Sequence, residues 1–441
     1  MDNDPTSNSR SLELFEQARQ YLPGGVSRNT IFRRPNPVYA QSGQGCYVTD
    51  VDGIRRIDFA NNMASLIHGH AHPAIIRAVE EQLHRGTAFT MATVSEFEFA
   101  KLLCERVSHF DKLRFVNSGT EAVMACIKAA RCFTGRAKIA KVEGTYHGTY
   151  DYAEVSQKPK PEEWGDSQRP ASVPVARGTP QAALDDVVVI PFNNASLARQ
   201  ILDTEKGNIA CILLDPMPHR VGLIPAANDF VEMLRTWCDQ NGALLVLDEV
   251  ITFRSAYTGA GEWFPAKPDL TAMGKIIGGG FPVGAFGGRD DVMDLLDPQQ
   301  QQIPFPHSGT FSANPITMTA GKVAMDLFDQ SAVDQINDLG DYARTSITEA
   351  IRKSAIEACV TGAGSMFRIH MKPEPPVDYR SAYMNRVEQQ QINQLVNHLF
   401  DSGFMMINTC TAALSTAMNR EHVDLLVDSL SVGFQQLERS I

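Results

Sequence analysis

A single lysine, Lys275, stands in the stretch LTAMGKIIGGGFPVGAFGG, after an apolar run and before three consecutive glycines, Gly278 to Gly280. Three chemistries suit such a cation: a phosphate clamp, a solvated loop charge, or an amine nucleophile. Apolar surroundings lower an amine's pKa, and a neutral amine condenses with a carbonyl to form a Schiff base. A second candidate, Asp248 in ALLVLDEV, ends a continuous apolar run and is followed by Glu249. Open α/β sheets place their ligands at strand ends, and a carboxylate buried there needs a cation or must cap a helix. A third, NSGTEA (Asn117 to Ala122), reads as the start of a helix after a strand. Its small residues and free N–H groups suit an anion, with Ser118 and Thr120 adding hydroxyls, and they equally suit a plain N-cap. In GTYHGTYD, Tyr146 and His147 follow another strand, where an aromatic ring either stacks on a flat ligand or covers the core. A phosphate cradle, a strand-end acid and a buried lysine together match what pyridoxal phosphate requires.

Nucleotide motifs fail on inspection. Gly259-x-Gly261 reaches Phe264, and Gly362-x-Gly364 reaches Phe367, where a dinucleotide fingerprint needs a third glycine. A P-loop ending at Gly274-Lys275 needs glycine at Asp269 and a hydroxyl at Ile276. HGHAH (His68, His70, His72) resembles a metal site, but no matching ligand cluster accompanies it and Pro73 opens a helix, so a helix-entry loop is the expectation and no metal is assigned. HSGTF, His307 to Phe311, is by itself a polar turn.

Positioning these residues requires a layered α/β unit. From Asp111 to about Gly288, short apolar runs (KLRFVN, KIAKVEG, VVVIPF, IACILLDP, ALLVLDEV) alternate with helical patterns (TEAVMACIKAARCF, NDFVEMLRTWCDQNG). That alternation predicts a mostly parallel sheet covered by helices. SLELFEQARQYL reads as a helix stopped at Pro23-Gly24-Gly25, and GCYVTDVDGIRRIDFA as a hairpin turning at Asp52-Gly53. The Pro-rich stretch between Gln157 and Asp186 is expected to be a lid or a disordered loop. After about Thr310, long helical patterns and strands such as MFRIHMK and FMMINT predict a smaller α+β domain. The expected division is an N-terminal segment 1–60 packing with the small domain, a large cofactor-binding domain 61–310, and a small domain 311–441.

At 441 residues the chain can bury a large core, and 43% apolar with 21% charged residues is ordinary for a globular protein. A formal net charge of −11 argues against nucleic-acid binding. No run is long enough to span a bilayer, and the acidic start MDNDPTSNSRSLELFEQ shows no signal peptide. Eight scattered cysteines without C-x-x-C spacing read as reduced thiols, so a cytoplasmic enzyme is expected.

Taken in order, PGGVSR, GHAHP, FVNSGTEA, TYHG, LDEV, MGKIIGGGFPVGAFGG and HSGTF resemble the class III (subgroup II) pyridoxal-phosphate aminotransferases of fold type I. The likeness spans nearly the whole chain and is closest to glutamate-1-semialdehyde aminomutase and the β-phenylalanine-type transaminases. The resemblance implies roles. Lys275 is the Schiff-base lysine and proton carrier, and Asp248 holds the pyridine nitrogen protonated. Val250 and Tyr146 face the ring, with His147 beside it. Ser118, Gly119 and Thr120 hold the phosphate, and Thr310 reaches the phosphate of the neighbouring subunit, implying a homodimer with shared sites. The glycines beside Lys275 would let the chain pass close to the cofactor. Arg28, in PGGVSRNTIF, falls where relatives bind the substrate carboxylate, which suits an Arg fork. In INTCTAALS the β-amino-acid enzymes carry an arginine and the aminomutase a glutamate, whereas this chain has Thr409, Cys410 and Thr411. Asp215 replaces the usual Glu before Pro216. The implied reaction moves an amino group from a β-amino acid or other ω-type amine to a keto acid by a ping-pong route. The alternatives are the aminomutase and a broad amine:pyruvate transaminase.

Overall fold

The computed structural model describes residues 9–439, so the first eight residues of the acidic start lie outside the described residues. Its centre is a seven-stranded sheet in the order Lys112–Val116, Gly284–Gly288, Leu270–Gly274, Leu244–Asp248, Ile209–Leu214, Lys138–Val142, Val187–Ile190. All neighbours run parallel except Gly284–Gly288, which is antiparallel to both of its partners. The predicted strands are therefore present. The antiparallel one comes from the glycine-rich GAFGG, which has no strand-like composition. Glycine is required there because a Cβ on Gly284 would lie 2.0 Å from the Ser118 carbonyl oxygen.

The central strands are buried on both faces, which explains their unbroken apolar runs. Side chains alternate between two cores. Cys211, Leu213, Leu244 and Val246 pack beneath the helix Gly119–Thr134. Ile212, Leu214, Leu245 and Leu247 meet Phe230, Leu234 and Trp237 of the helix Asn228–Asn241. This is a helix–sheet–helix sandwich whose strand ends converge on one edge.

The hairpin Tyr47–Asp50 with Arg55–Asp58 forms as predicted, and its second strand pairs in parallel with Phe404–Met405. The chain's start is thus stitched to its C-terminal region. That region holds long helices, Gln330–Arg352, Arg386–Asp401 and Arg420–Glu438, against the strands Cys359–Thr361, Met366–His370 and Thr411–Ala413.

The Pro-rich stretch has structure of its own, contrary to the lid-or-disorder expectation. It folds into the small hairpin Gly165–Asp166/Arg169–Pro170. The Tyr379 hydroxyl donates to the Pro159 carbonyl at 2.8 Å, and Arg380 donates to the Trp164 carbonyl at 2.9 Å while pairing with Glu143. Distant tertiary donors thus tie carbonyls of this stretch to the rest of the molecule. None of its residues lines the cavity at Lys275.

Candidate active site

Five parallel strands deliver their carboxyl ends to a cavity of about 380 Å³ lined by Ser118, Gly119, Thr120, Tyr146, His147, Asp215, Asp248, Val250 and Lys275. Register explains the meeting of Asp248 and Lys275: Asp248 lies beside Ala272 on the next strand, and Lys275 follows three residues on. Asp248 faces the cavity and accepts from the Val250 N–H at 3.0 Å, while its other oxygen lies 2.7 Å from His147 Nδ1. Glu249 points away and caps the N–H groups of Ala260 and Gly261. One member of the acidic pair is therefore a site residue and the other structural, as strand alternation dictates.

Burial pushes the His147 pKa below the ordinary histidine value, against the opposing pull of Asp248. A neutral ring with Nδ1–H facing the carboxylate fits this geometry. Its Nε2 is buried with no partner. Burial also lowers the Lys275 pKa, opposed by the carboxylates of Asp248 and Asp215, so the lysine is biased toward the nucleophilic neutral amine. Its φ of 50° is a left-handed conformation uncommon outside glycine. Asp215, absent from the expected site residues, is 3% exposed and lines the same cavity. Burial, then the nearby Asp248, pushes its carboxyl well above the usual range. The strand-end position of Asp215 was the available signal.

Ser118 reconciles its two readings. Its hydroxyl oxygen caps the helix by accepting from the Glu121 N–H at 3.2 Å, which leaves the O–H free to donate toward the cavity. Glu121 in turn accepts from the Asn117 N–H at 2.6 Å. A Cβ on Gly119 would meet Val250 at 2.6 Å, and one on Gly148 would meet the Thr120 hydroxyl at 2.5 Å. The helix start, the Tyr146-His147 turn and Val250 are thereby drawn into one cleft. The glycines after Lys275 serve differently from the expectation. Gly279, at φ 58°, packs its α-carbon on the carbonyl of Ala320, and of the three only Gly280 lines the cavity.

A second cavity of about 590 Å³ adjoins the first and shares Asn62 and Gly280 with it. Arg28 lines it and donates to Asn62 Oδ1 at 2.8 Å. Phe400, Met405, Met406 and Ile407 supply apolar wall. Asn62 belongs to a left-handed turn of four non-glycine residues, Asn61 to Ala64, with φ between 43° and 67°. Left-handed backbone costs about 1–2 kcal/mol per residue, and specific bonds hold it. Asp58 accepts from the N–H groups of Ala60 and Asn61, Asn61 donates to the Ala413 carbonyl, and Arg254 donates to the Ala64 carbonyl. Arg254 is fully buried and also bonds Ser365 and the Leu414 carbonyl, so it is a structural clamp. No sequence signal marks this turn.

Thr409, Cys410 and Thr411 form a tight turn, with the two threonine hydroxyls 2.9 Å apart. Thr310 is exposed and lies outside the Lys275 cavity of its own chain. His68 bonds Thr416 and the Ala324 carbonyl, His70 pairs with Asp58, and His72 precedes the helix Pro73–Leu83. Among the described residues no three His, Cys, Asp or Glu side chains cluster to hold a metal.

The residues fit pyridoxal phosphate. A helix N-terminus with hydroxyls suits the phosphate. A buried carboxylate faces the same cavity as a lysine and an aromatic ring, and His147 Nε2 is unpartnered beside them. When bound, this cofactor supplies an electron-withdrawing ring attached to the carbon that exchanges amine for carbonyl.

Residues 32–431 match the family model of class-III aminotransferases. A glutamate-1-semialdehyde 2,1-aminomutase of Methanothermobacter thermautotrophicus is 37% identical over 374 residues, covering 85% of this chain and 86% of that protein. An omega-transaminase of Sphaerobacter thermophilus superposes with a TM-score of 0.96 at 43% identity, covering 98% of both chains. A beta-phenylalanine aminotransferase of Variovorax paradoxus superposes at 0.85 with 33% identity, covering 97% of this chain and 93% of that one. The chain belongs to the class-III aminotransferases, and it is a pyridoxal-phosphate-dependent enzyme.

Proposed function

We propose that the protein transfers an amino group from a β-amino acid, or another ω-type amine, to a keto acid in two half-reactions. The observation that carries this reading is the placement of Arg28 in a partly apolar cavity adjoining Lys275, with uncharged Thr409 to Thr411 nearby in the chain from its Met405–Asn408 wall. A guanidinium at the cavity wall suits a carboxylate held away from the reacting carbon, and the apolar wall suits an aryl or alkyl group.

Within the inner cavity, Ser118, Gly119 and Thr120 would hold the phosphate at the helix start, and Asp248, oriented by His147, would keep the ring nitrogen protonated. Tyr146 and Val250 confine the ring. Lys275 Nζ would be the amine that meets the cofactor's aldehyde and, when free of it, would hold the proton that moves between the substrate and cofactor carbons.

The protein works as a cytoplasmic homodimer on this reading, with Thr310 serving the partner's site. Support comes from the exposed apolar side chains Phe89, Met91, Val94, Phe97 and Phe311, the last beside Thr310. All eight cysteines are free, and no described helix is long and apolar enough to cross a membrane. The division at 60 and 310 accompanies this reading, supported by the pairing of Arg55–Asp58 with Phe404–Met405.

The aminomutase reading has the support of the curated relatives, and it predicts turnover without an added keto acid. The test is a visible-absorbance titration of the purified holoenzyme with three donors: a β-amino acid, the diamino analogue of glutamate-1-semialdehyde, and a carboxylate-free arylalkylamine. Bleaching of the cofactor band by the β-amino acid alone supports carboxylate recognition. Equal bleaching by the arylalkylamine makes the enzyme a broad amine transaminase. Response to the diamino compound alone sinks the proposal. Light scattering at micromolar concentration should return the dimer mass, and a monomer that is fully active would exclude shared sites.

A further inference from the structure

Arg220 makes no hydrogen bond or ion pair among the described residues, although it is partly buried and next to the site. Its guanidinium stands 5.3 Å from the centre of the Tyr146 ring, and Tyr146 lines the Lys275 cavity. A desolvated cation without a carboxylate is costly to keep and is often retained for a ligand. Burial lowers its pKa, and Tyr146, Tyr379 and the Glu154 carboxylate pull the other way, Glu154 without forming an ion pair to it.

The short helical turn His219–Val221 that carries Arg220 is fixed from outside. Arg368 donates to the His219 carbonyl at 2.7 Å, Thr361 donates to the Gly222 carbonyl at 2.6 Å, and the His219 ring packs edge-on against Tyr146. Arg368 pairs in register with Thr411. Arg220 is therefore in the same corner of the molecule as the uncharged turn Thr409 to Thr411; it lines neither cavity where it stands, so it reaches a substrate only by swinging off the Tyr146 ring on a fixed backbone.

The two half-reactions set an unequal demand. In a β-amino acid the carboxylate stands one carbon further from the reacting carbon than in an α-keto acid. A single fixed cation cannot meet both. Arg28, tied to Asn62 in the outer cavity, suits the distant carboxylate. We propose that Arg220, leaving the Tyr146 ring, is the cation that binds the carboxylate of the α-keto-acid acceptor. This rests on the amino-transfer reading above.

The test follows the second half-reaction alone. Holoenzyme is first aminated with a saturating amine donor, and the return of the cofactor's visible band is then timed with pyruvate or with benzaldehyde, an acceptor lacking a carboxylate. In Arg220→Gln the second-order rate constant for pyruvate should fall about 10- to 100-fold more than that for benzaldehyde, the range expected for losing a charge-assisted hydrogen bond. Arg220→Lys, which keeps the charge, should recover part of the loss, and its visible band reports an intact site should the Gln variant fail to fold. Equal losses with both acceptors, or no selective loss with pyruvate in either variant, overturn the assignment. Wild-type enzyme that returns its band with neither acceptor overturns the amino-transfer reading itself.

Discussion

The inner cavity at the strand ends and the outer cavity at Arg28 share a wall but are built on different principles. Each inner group follows a strand of one buried sheet: Ser118 after Val116, Tyr146 and His147 after Val142, Asp215 after Leu214, Asp248 at its own strand's end, and Lys275 after Gly274. Ladder register sets their spacing, and the same bonds that hold the core hold the chemistry. The outer cavity takes its walls from residues 26–70 and 400–408, with only Gly280 from between. It depends on an exposed arginine and on a left-handed turn held by Asp58, Ala413 and Arg254. On the amino-transfer reading, the reaction type is set by the strand ends and selectivity by contacts between the two ends of the chain.

Breaking the inner site should have the largest effect. Lys275→Ala should lower kcat about 10,000-fold or more, since it removes both nucleophile and proton carrier. Circular dichroism should stay native. Activity within tenfold of wild type would exclude Lys275 from the chemistry. Asp248→Asn keeps the shape and can still bond the Val250 N–H, but loses the charge. A fall in kcat of about 100- to 1,000-fold is expected with a modest rise in the dissociation constant for pyridoxal phosphate. A fall seen only in cofactor affinity would make Asp248 an anchor without an electronic role.

The same contrast decides what could be read from the sequence. The positions of Lys275, Asp248 and Ser118 were legible because strand and helix periodicity announce where an apolar run stops; a loop charge or a cap suited each one taken alone, and the ordered series of motifs set them apart. Asp215 obeys the same rule at the end of Ile209–Leu214, where the sequence marks it only as a replacement of the usual Glu before Pro216. The left-handed turn at Asn61 to Ala64 was not legible. Nothing in the residues NNMA favours positive φ throughout, and their conformation is imposed by partners as distant as Ala413. The ordered Pro-rich stretch was missed for a similar reason, since its donors Tyr379 and Arg380 lie about 200 residues away. GAFGG was illegible as a strand because its place is set by close backbone approach to Ser118.

An intermediate effect should sharpen the contrast at the outer cavity. Arg28→Ala should raise KM for a β-amino acid about 10- to 100-fold, with kcat changing less than fivefold, because a binding contact present throughout the reaction is lost. The change for a carboxylate-free amine should be at least tenfold smaller. Equal effects on both donors would mean that Arg28 acts only by holding Asn62 and the strained turn.

The smallest effect concerns the support behind the outer cavity, where His70 lines the wall and His68 is two residues away. His68 is 5% exposed, with Nε2 placed to donate to the Ala324 carbonyl and Nδ1 to accept from Thr416. Burial lowers its pKa from 6.5 to about 4, so the unfolded chain binds a proton that the folded chain refuses between these values. The stability from the neutral ring is present above pH 6.5 and is lost as pH falls toward 4. The loss approaches about 3 kcal/mol across that window, and the melting temperature should drop on going from pH 7 to pH 5. His68→Gln should be less stable at pH 7 yet show a shallower decline, by up to one proton in the slope of unfolding free energy against pH. An unchanged slope would place the acid sensitivity elsewhere, with half-buried His109 and buried His370 as the next groups to replace, since desolvation lowers their pKa values to about 4 and about 3.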